Sequence, residues 1–172
     1  MNGRSLRLVT PRLVLKPIED KDKDALLAMA EDRLITKSYM IPDFTSQEQR
    51  DAFFLRLQGL SQKEDRFVYG IFLGDELIGF LNECARFEDG VELGYFISSK
   101  QWNKGYATEA LKAAIEELFH LGCKRVEAAH FVSNPGSGRV MVKAGMKQIE
   151  KRETIPYRGE DHPCIYYEIN RP

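Results

Sequence analysis

The alternation of apolar and polar positions changes period several times along the chain, and each change marks an element. Leu6 to Ile18 interleaves Leu and Val with polar residues and predicts a strand, with Pro11 assigning it to an edge or a bulge. Asp20 to Glu31 sets Ala25, Leu26, Met29 and Ala30 at helical spacing behind an acidic start that suits the positive end of a helix dipole. A second helix is predicted from Ser46 to Leu60, with Ser46 and Gln49 spaced as a capping box and Phe53, Phe54 and Leu57 as the apolar stripe. Between the two, Tyr39 to Phe44 is an aromatic, Pro-containing loop of the kind that borders a pocket.

From Arg66 to Leu73 and from Glu76 to Ala85 aromatic and β-branched residues flank a Gly74-Asp75 turn, which predicts a hairpin. After Glu88-Asp89-Gly90 a third strand follows, Val91 to Ser98. Its alternation puts Val91, Leu93, Tyr95 and Ile97 on one face and Glu92, Gly94 and Phe96 on the other. Ala107, Ala110, Leu111, Ala114, Ile115 and Leu118 then trace one face of a helix that Gly122 stops. Arg125 to Val132 reads as a buried strand, and Asn134-Pro135 opens a helix that runs to Ala144 and ends at Gly145. Met146 to Ile155 and Pro163 to Ile169 close the chain as strands joined by a polar loop, Pro156 to His162. The expected fold is α/β in the α+β sense: one domain over residues 1–172, a mixed sheet of about seven strands and about four helices.

Composition narrows the functions available. With 172 residues, 43% of them hydrophobic, the chain has enough apolar residues for one core. Lys and Arg total 25 against 26 Asp and Glu, so no overall field draws in nucleic acid or anionic membrane. No stretch approaches the roughly 20 apolar residues of a membrane span, and a cytoplasmic location is expected. Cys84, Cys123 and Cys164 are odd in number and far apart, and the three histidines are scattered, so reduced thiols and no metal site are expected.

The chemistry gathers at Trp102-Asn103-Lys104-Gly105-Tyr106-Ala107-Thr108, between a strand and the most amphipathic helix. Unpaired N–H groups at such a junction point outward, the helix dipole adds partial positive charge, and small residues let a diphosphate approach. Neither the G-x-G-x-x-G spacing of dinucleotide sites nor the G-x-x-x-x-G-K-[ST] spacing of nucleoside triphosphate loops is present.

This segment resembles the coenzyme A pyrophosphate turn of the GNAT superfamily of acyl-CoA N-acyltransferases, [Q/R]-x-x-G-x-[G/A]. Gly105 and Ala107 match its last two key positions, and Trp102 stands where Gln or Arg is commoner. The run from Trp102 to Leu111 is similar to the version in the branch of ribosomal-protein alanine acetyltransferases. Thr10-Pro11-Arg12-Leu13-Val14-Leu15, Glu92-Leu93-Gly94-Tyr95, Asn134-x-x-Ser137 and Lys143-Ala144-Gly145-Met146 resemble that branch too, in the same order. The resemblance implies acetyl-coenzyme A as cofactor, no metal, and a cleft where the strand Val91 to Ser98 splays from Arg125 to Val132. Backbone groups of Phe96 and Ile97 would hold the pantetheine, and Asn134 would contact it; Arg139 and Lys143 would meet phosphates or simply face solvent.

Glu92 is the candidate base, acting directly or through water, and as an ordinary strand residue it would be a solvated charge. Ser137 is the candidate proton donor to the departing thiolate, with helix capping as its plainer role. Glu83 is expected to face the same region as Glu92, and Tyr39, Phe44, Tyr157 and Asp161 are candidate walls of the acceptor pocket. An α-amino group titrates near 8 and a lysine near 10.4, so a weak base serves a protein N-terminus better than a lysine side chain. The expected partner is an amine acceptor, peptide or small molecule, met by a monomer or homodimer. A non-catalytic acyl-CoA sensor would lack Glu92 and Ser137, and a nucleotide-binding fold would be protected by ATP or NAD.

Overall fold

A computed structural model describes residues 3–172. The elements in chain order are β1 (Leu8–Val9), β2 (Val14–Lys16), α1 (Lys23–Ala30), α2 (Arg33–Thr36), α3 (Gln47–Ser61), β3 (Val68–Leu73), β4 (Glu76–Arg86) and β5 (Gly90–Ile97). They continue as α4 (Tyr106–His120), β6 (Arg125–Phe131), α5 (Pro135–Lys143), β7 (Lys147–Tyr157) and β8 (Glu160–Asn170). The eight strands form one sheet in the order β1-β2-β3-β4-β5-β6-β8-β7, where about seven strands were expected.

Three differences from the sequence pattern have local causes. The strand expected from Leu6 to Ile18 is a tight hairpin, because the chain turns back at Pro11 with the Thr10 N–H donating to the Leu13 carbonyl at 2.9 Å. The acidic start of the first helix is a 3-10 turn, Asp20–Asp22, and a short α2 follows, capped by Asp32 accepting from the Leu34 N–H. The loop expected from Pro156 to His162 is instead the end of a long β7–β8 hairpin. Its two-residue turn holds Arg158 at φ 53° and Gly159 at φ 78°, a backbone that matches the twist of paired strands. At α3, Ser46 caps as expected by accepting from the Gln49 N–H, while the Gln49 side chain reaches back one residue further, to the Thr45 N–H.

The alternation in β5 decides the layers. Val91, Leu93 and Ile97 pack with Val126 and Ala128 of β6 beneath Leu111, Ala114 and Leu118 of α4 and Met141 of α5. Phe96, on the opposite face, joins Val68, Phe72 and Phe80 beneath Leu26 of α1 and Phe54 and Leu57 of α3. Further across that second face Phe131, Cys164 and Tyr166 make a small separate cluster. Among the described residues no helix is long and apolar enough to cross a membrane.

Candidate active site

The parallel pairing of β5 with β6 joins Gly90 through Leu93 to Arg125 through Ala128 and stops there. Both strands continue, to Ile97 and to Phe131, so they part and leave a gap. Ser98 N–H donates to Ile78 O on one side of β5, and Asp89 O accepts from Arg125 N–H on the other. Backbone groups alternate sides along a strand. It is therefore Tyr95 and Ile97 that aim backbone groups into the gap, whereas Phe96 directs its own toward β4 and contributes its side chain to the core. The Ile97 carbonyl accepts from the Trp102 indole nitrogen at 2.8 Å, which ties the end of β5 to the turn before α4.

That turn uses two left-handed residues, Asn103 at φ 60° and Gly105 at φ 82°, and then releases the chain into the 15-residue α4. Gly105 occupies the N-cap position with no side chain over the first N–H groups of the helix, which leaves them for a ligand. The turn is braced from the N-terminal hairpin. Arg12 Nη1 donates to the Lys104 carbonyl at 2.8 Å, its Nε to Glu109 Oε2 at 2.7 Å, and its guanidinium lies 4.6 Å from the Tyr106 ring centre. Thr10 Oγ1 and the Arg12 N–H both donate to Glu109 Oε1. Burial opposes ionisation of Glu109, but these hydrogen bonds and the Arg12 charge hold its carboxyl below the ordinary value. Composition and periodicity do not single out this brace; its only trace in the sequence is the Thr10-Pro11-Arg12-Leu13 motif.

A cleft of about 580 Å³ runs along the gap and over this turn. Ser137 lines it, as do all the cofactor-binding residues expected from the sequence except Lys104, whose ammonium turns back to Gln101 Oε1 at 2.8 Å. Asn134 Nδ2 donates to Ser137 Oγ at 2.8 Å, and the Tyr95 hydroxyl donates to the Ser137 carbonyl at 3.2 Å. The glycines flanking Ser137 divide in role. A Cβ on Gly138 would stand 2.6 Å from His130 Nε2 and 3.1 Å from the Tyr167 hydroxyl, so a side chain there would force a neighbouring ring to shift, whereas Gly136 has room. Gly138 thus answers a neighbouring ring rather than a ligand.

Glu92 lies outside the cleft, on the other face of the sheet, one register step before the gap. Its Cα partner on β6 is Glu127, which is held by Lys151 Nζ at 3.1 Å, and the Tyr166 hydroxyl donates to Glu153 Oε2 at 2.7 Å. Burial raises the Glu92 carboxyl above its ordinary value; Lys151 opposes the shift, and Glu127 and Glu153 add to it. Glu83 does not join this group. It pairs across from Leu93, not Glu92, so it faces the α4 side, where its 4%-exposed carboxylate is held by Arg66 at 2.9 Å and Arg86 at 2.5 Å.

A second cavity of about 880 Å³ adjoins the cleft and shares Ser38, Trp102 and Asn134 with it. Phe44 and Tyr157, both candidate walls of the acceptor pocket, line it, and the Tyr157 hydroxyl pins the loop before α3 by donating to the Thr36 carbonyl at 2.8 Å. Asp161 does not line it: in a strand its neighbours Glu160 and His162 turn inward and Asp161 turns out. Tyr39 lines the first cleft instead. No group of three or more His, Cys, Asp or Glu among the described residues has the geometry to hold a metal ion.

The fold as a whole is shared with known proteins. Residues 12–147 match the family model described as an acetyltransferase (GNAT) domain, and the chain belongs to that family of N-acetyltransferases. It is 29% identical over 171 residues to the uncharacterized N-acetyltransferase YoaA of Bacillus subtilis (strain 168), covering 96% of this chain and 97% of that one. The crystal structure of a GNAT-family acetyltransferase from Bacillus anthracis superposes with TM-score 0.79 at 26% identity, covering 95% of this chain and 98% of the other. RimL, a ribosomal L7/L12 alpha-N-protein acetyltransferase solved in complex with coenzyme A, superposes with TM-score 0.78 at 20% identity over 95% and 96%, a likeness of fold.

Proposed function

We propose that the chain transfers an acetyl group from acetyl-coenzyme A to the N-terminal amine of a polypeptide. The observation that carries this reading is the parting of β5 from β6 after Leu93 and Ala128, directly beside the Gly105 turn. A pantetheine arm fits the gap as a substitute strand, bonding to Tyr95 and to the Ile97 N–H. The diphosphate takes the first N–H groups of α4, with Arg139 and Lys143 of α5 on the same cleft supplying positive charge.

In the reaction Glu92, which stands outside the cleft on the other face of the sheet, takes the proton of the acceptor ammonium through water; the neutral amine nitrogen then attacks the thioester carbonyl carbon, and the C–N bond forms as the C–S bond breaks. The departing thiolate takes the hydroxyl proton of Ser137, whose oxygen accepts from Asn134 and so leaves its own hydrogen available, and the proton shed by the newly acylated nitrogen returns to the Ser137 oxygen. The raised Glu92 carboxyl makes a better base than an ordinary carboxylate.

The larger cavity supports a chain end as acceptor, because it opens to solvent past the half-exposed Leu34 and Trp102 and exceeds what a bare amine fills. A small charged amine is the second reading, favoured by the carboxylates of Glu31, Asp43 and Glu160 on the same walls. Thermal denaturation with acetyl-coenzyme A, ATP or NAD tests the cofactor: a ligand at about 100 times its Kd adds roughly 2.7 kcal/mol. Stabilisation by acetyl-coenzyme A alone is expected. Turnover of free amines with no peptide used would replace the first reading of the acceptor with the second.

A further inference from the structure

Tyr39, which lines the cleft, is hydrogen-bonded to Asn82, a residue outside the expected site. Gly94 is the first residue of β5 past the point where pairing with β6 ends, and its Cα on the second face has three close neighbours. A Cβ there would meet Cys84 Sγ at 2.6 Å, Asn82 Oδ1 at 3.3 Å and Tyr39 Cε2 at 3.3 Å. The edge of the Tyr39 ring therefore lies beside the Gly94 backbone, next to the Cys84 thiol, and the ring meets that of Phe96 edge-on at 4.9 Å. Its hydroxyl donates to Asn82 Oδ1. The orientation of the Asn82 amide is dictated by its surroundings, since Nδ2 donates to the Glu83 carbonyl at 3.0 Å and that carbonyl can only accept. Burial pushes the Tyr39 phenol well above its ordinary value, so it keeps the proton it donates.

We propose that Asn82 is a positioning residue for acetyl transfer: by holding the Tyr39 hydroxyl it locks the Tyr39 ring beside Gly94, closing the thioester end of the cleft to water. This rests on the cofactor reading above. A Tyr39 ring released from Asn82 swings on its loop, Gly94 keeps only Cys84 and Asn82 beside it, and water reaches the thioester carbonyl past the vacated ring. The water oxygen then bonds to the carbonyl carbon as the C–S bond breaks, giving acetate, the free thiol and a proton.

The test needs no knowledge of the acceptor. Thiol release from acetyl-coenzyme A is followed without any amine for the wild type, Asn82→Ala, Tyr39→Phe and the double variant, at saturating cofactor. Asn82→Ala is expected to raise hydrolysis about three- to tenfold, Tyr39→Phe to reproduce most of that rise, and the double variant to exceed neither, because both break one interaction. Tyr39→Phe removes a single oxygen and keeps the ring, so it reports even where Asn82→Ala melts too low to assay. Wild-type hydrolysis rates in Tyr39→Phe, or effects that multiply in the double variant, would overturn the proposal. Absence of thermal stabilisation of the wild type by acetyl-coenzyme A would instead overturn the cofactor reading, and this inference with it.

Discussion

Arg12 and Glu109 stand 97 residues apart in the chain and meet at 2.7 Å, so the N-terminal hairpin braces the turn in front of α4. Arg12 also holds the Lys104 carbonyl, one residue before the left-handed Gly105. Replacing Arg12 with Ala should weaken acetyl-coenzyme A binding about tenfold, the loss expected for one or two hydrogen bonds of a charged group. Isothermal titration of the variant checks this; unchanged affinity would show that the turn holds its shape unaided.

Glu92 carries a signed pH dependence. Its folded carboxyl keeps its proton to higher pH than an unfolded one, so the folded state binds more protons between the two values and stability falls as pH rises through that window. Activity runs the other way, rising with pH as the base ionises. Glu92→Gln should lower kcat about a hundredfold or more and flatten its acid limb, while melting no lower than wild type at pH 8. A pH-rate profile that keeps its acid limb would assign the base elsewhere.

Gly105 sits at φ 82°, and Arg12 Nη2 lies 3.2 Å from where its Cβ would be. Gly105→Val should cost about 1–2 kcal/mol from the left-handed backbone alone and block the N–H groups above it. Loss of acetyl-coenzyme A stabilisation in a variant whose circular dichroism is native is the expected result.

At Gly138 two effects oppose each other. Alanine would gain about 1 kcal/mol of helix propensity, but its Cβ would fall 2.6 Å from His130 Nε2 in a close-packed layer. Overpacking of this kind costs about 1–3 kcal/mol, so Gly138→Ala should lower the midpoint of thermal unfolding by a few degrees. Gly136→Ala, where no neighbour comes nearer than 3.5 Å, should leave it unchanged or raise it.

Much of this site was legible in the chain. The Trp102 to Thr108 turn is contiguous, and its glycine, its small residues and the amphipathic helix behind it all act over a few residues. The two faces of β5 followed from alternation alone. Glu83 illustrates where that reasoning stops: it was expected beside Glu92, yet the pairing sets it opposite Leu93, with the ladder slipping between Glu83 and Ala85. A slip of one residue carries a side chain to the other face, and periodicity within one strand contains no register between two. The segment around Arg158-Gly159 is polar enough for a loop, and an exposed hairpin end is polar as well, so polarity does not separate the two.

By itself the sequence determined quantities that depend on near neighbours: most of the strands and helices, the turn in front of α4, and which side chains of β5 share a face. The tertiary structure alone decided that β5 and β6 part after four paired residues, that Arg12 reaches Glu109, and that Glu92 gathers Glu127, Lys151 and Glu153 around it. These relations join segments tens of residues apart. They depend on register, on layer packing and on the burial of charge, none of which exists until the sheet has closed around its core.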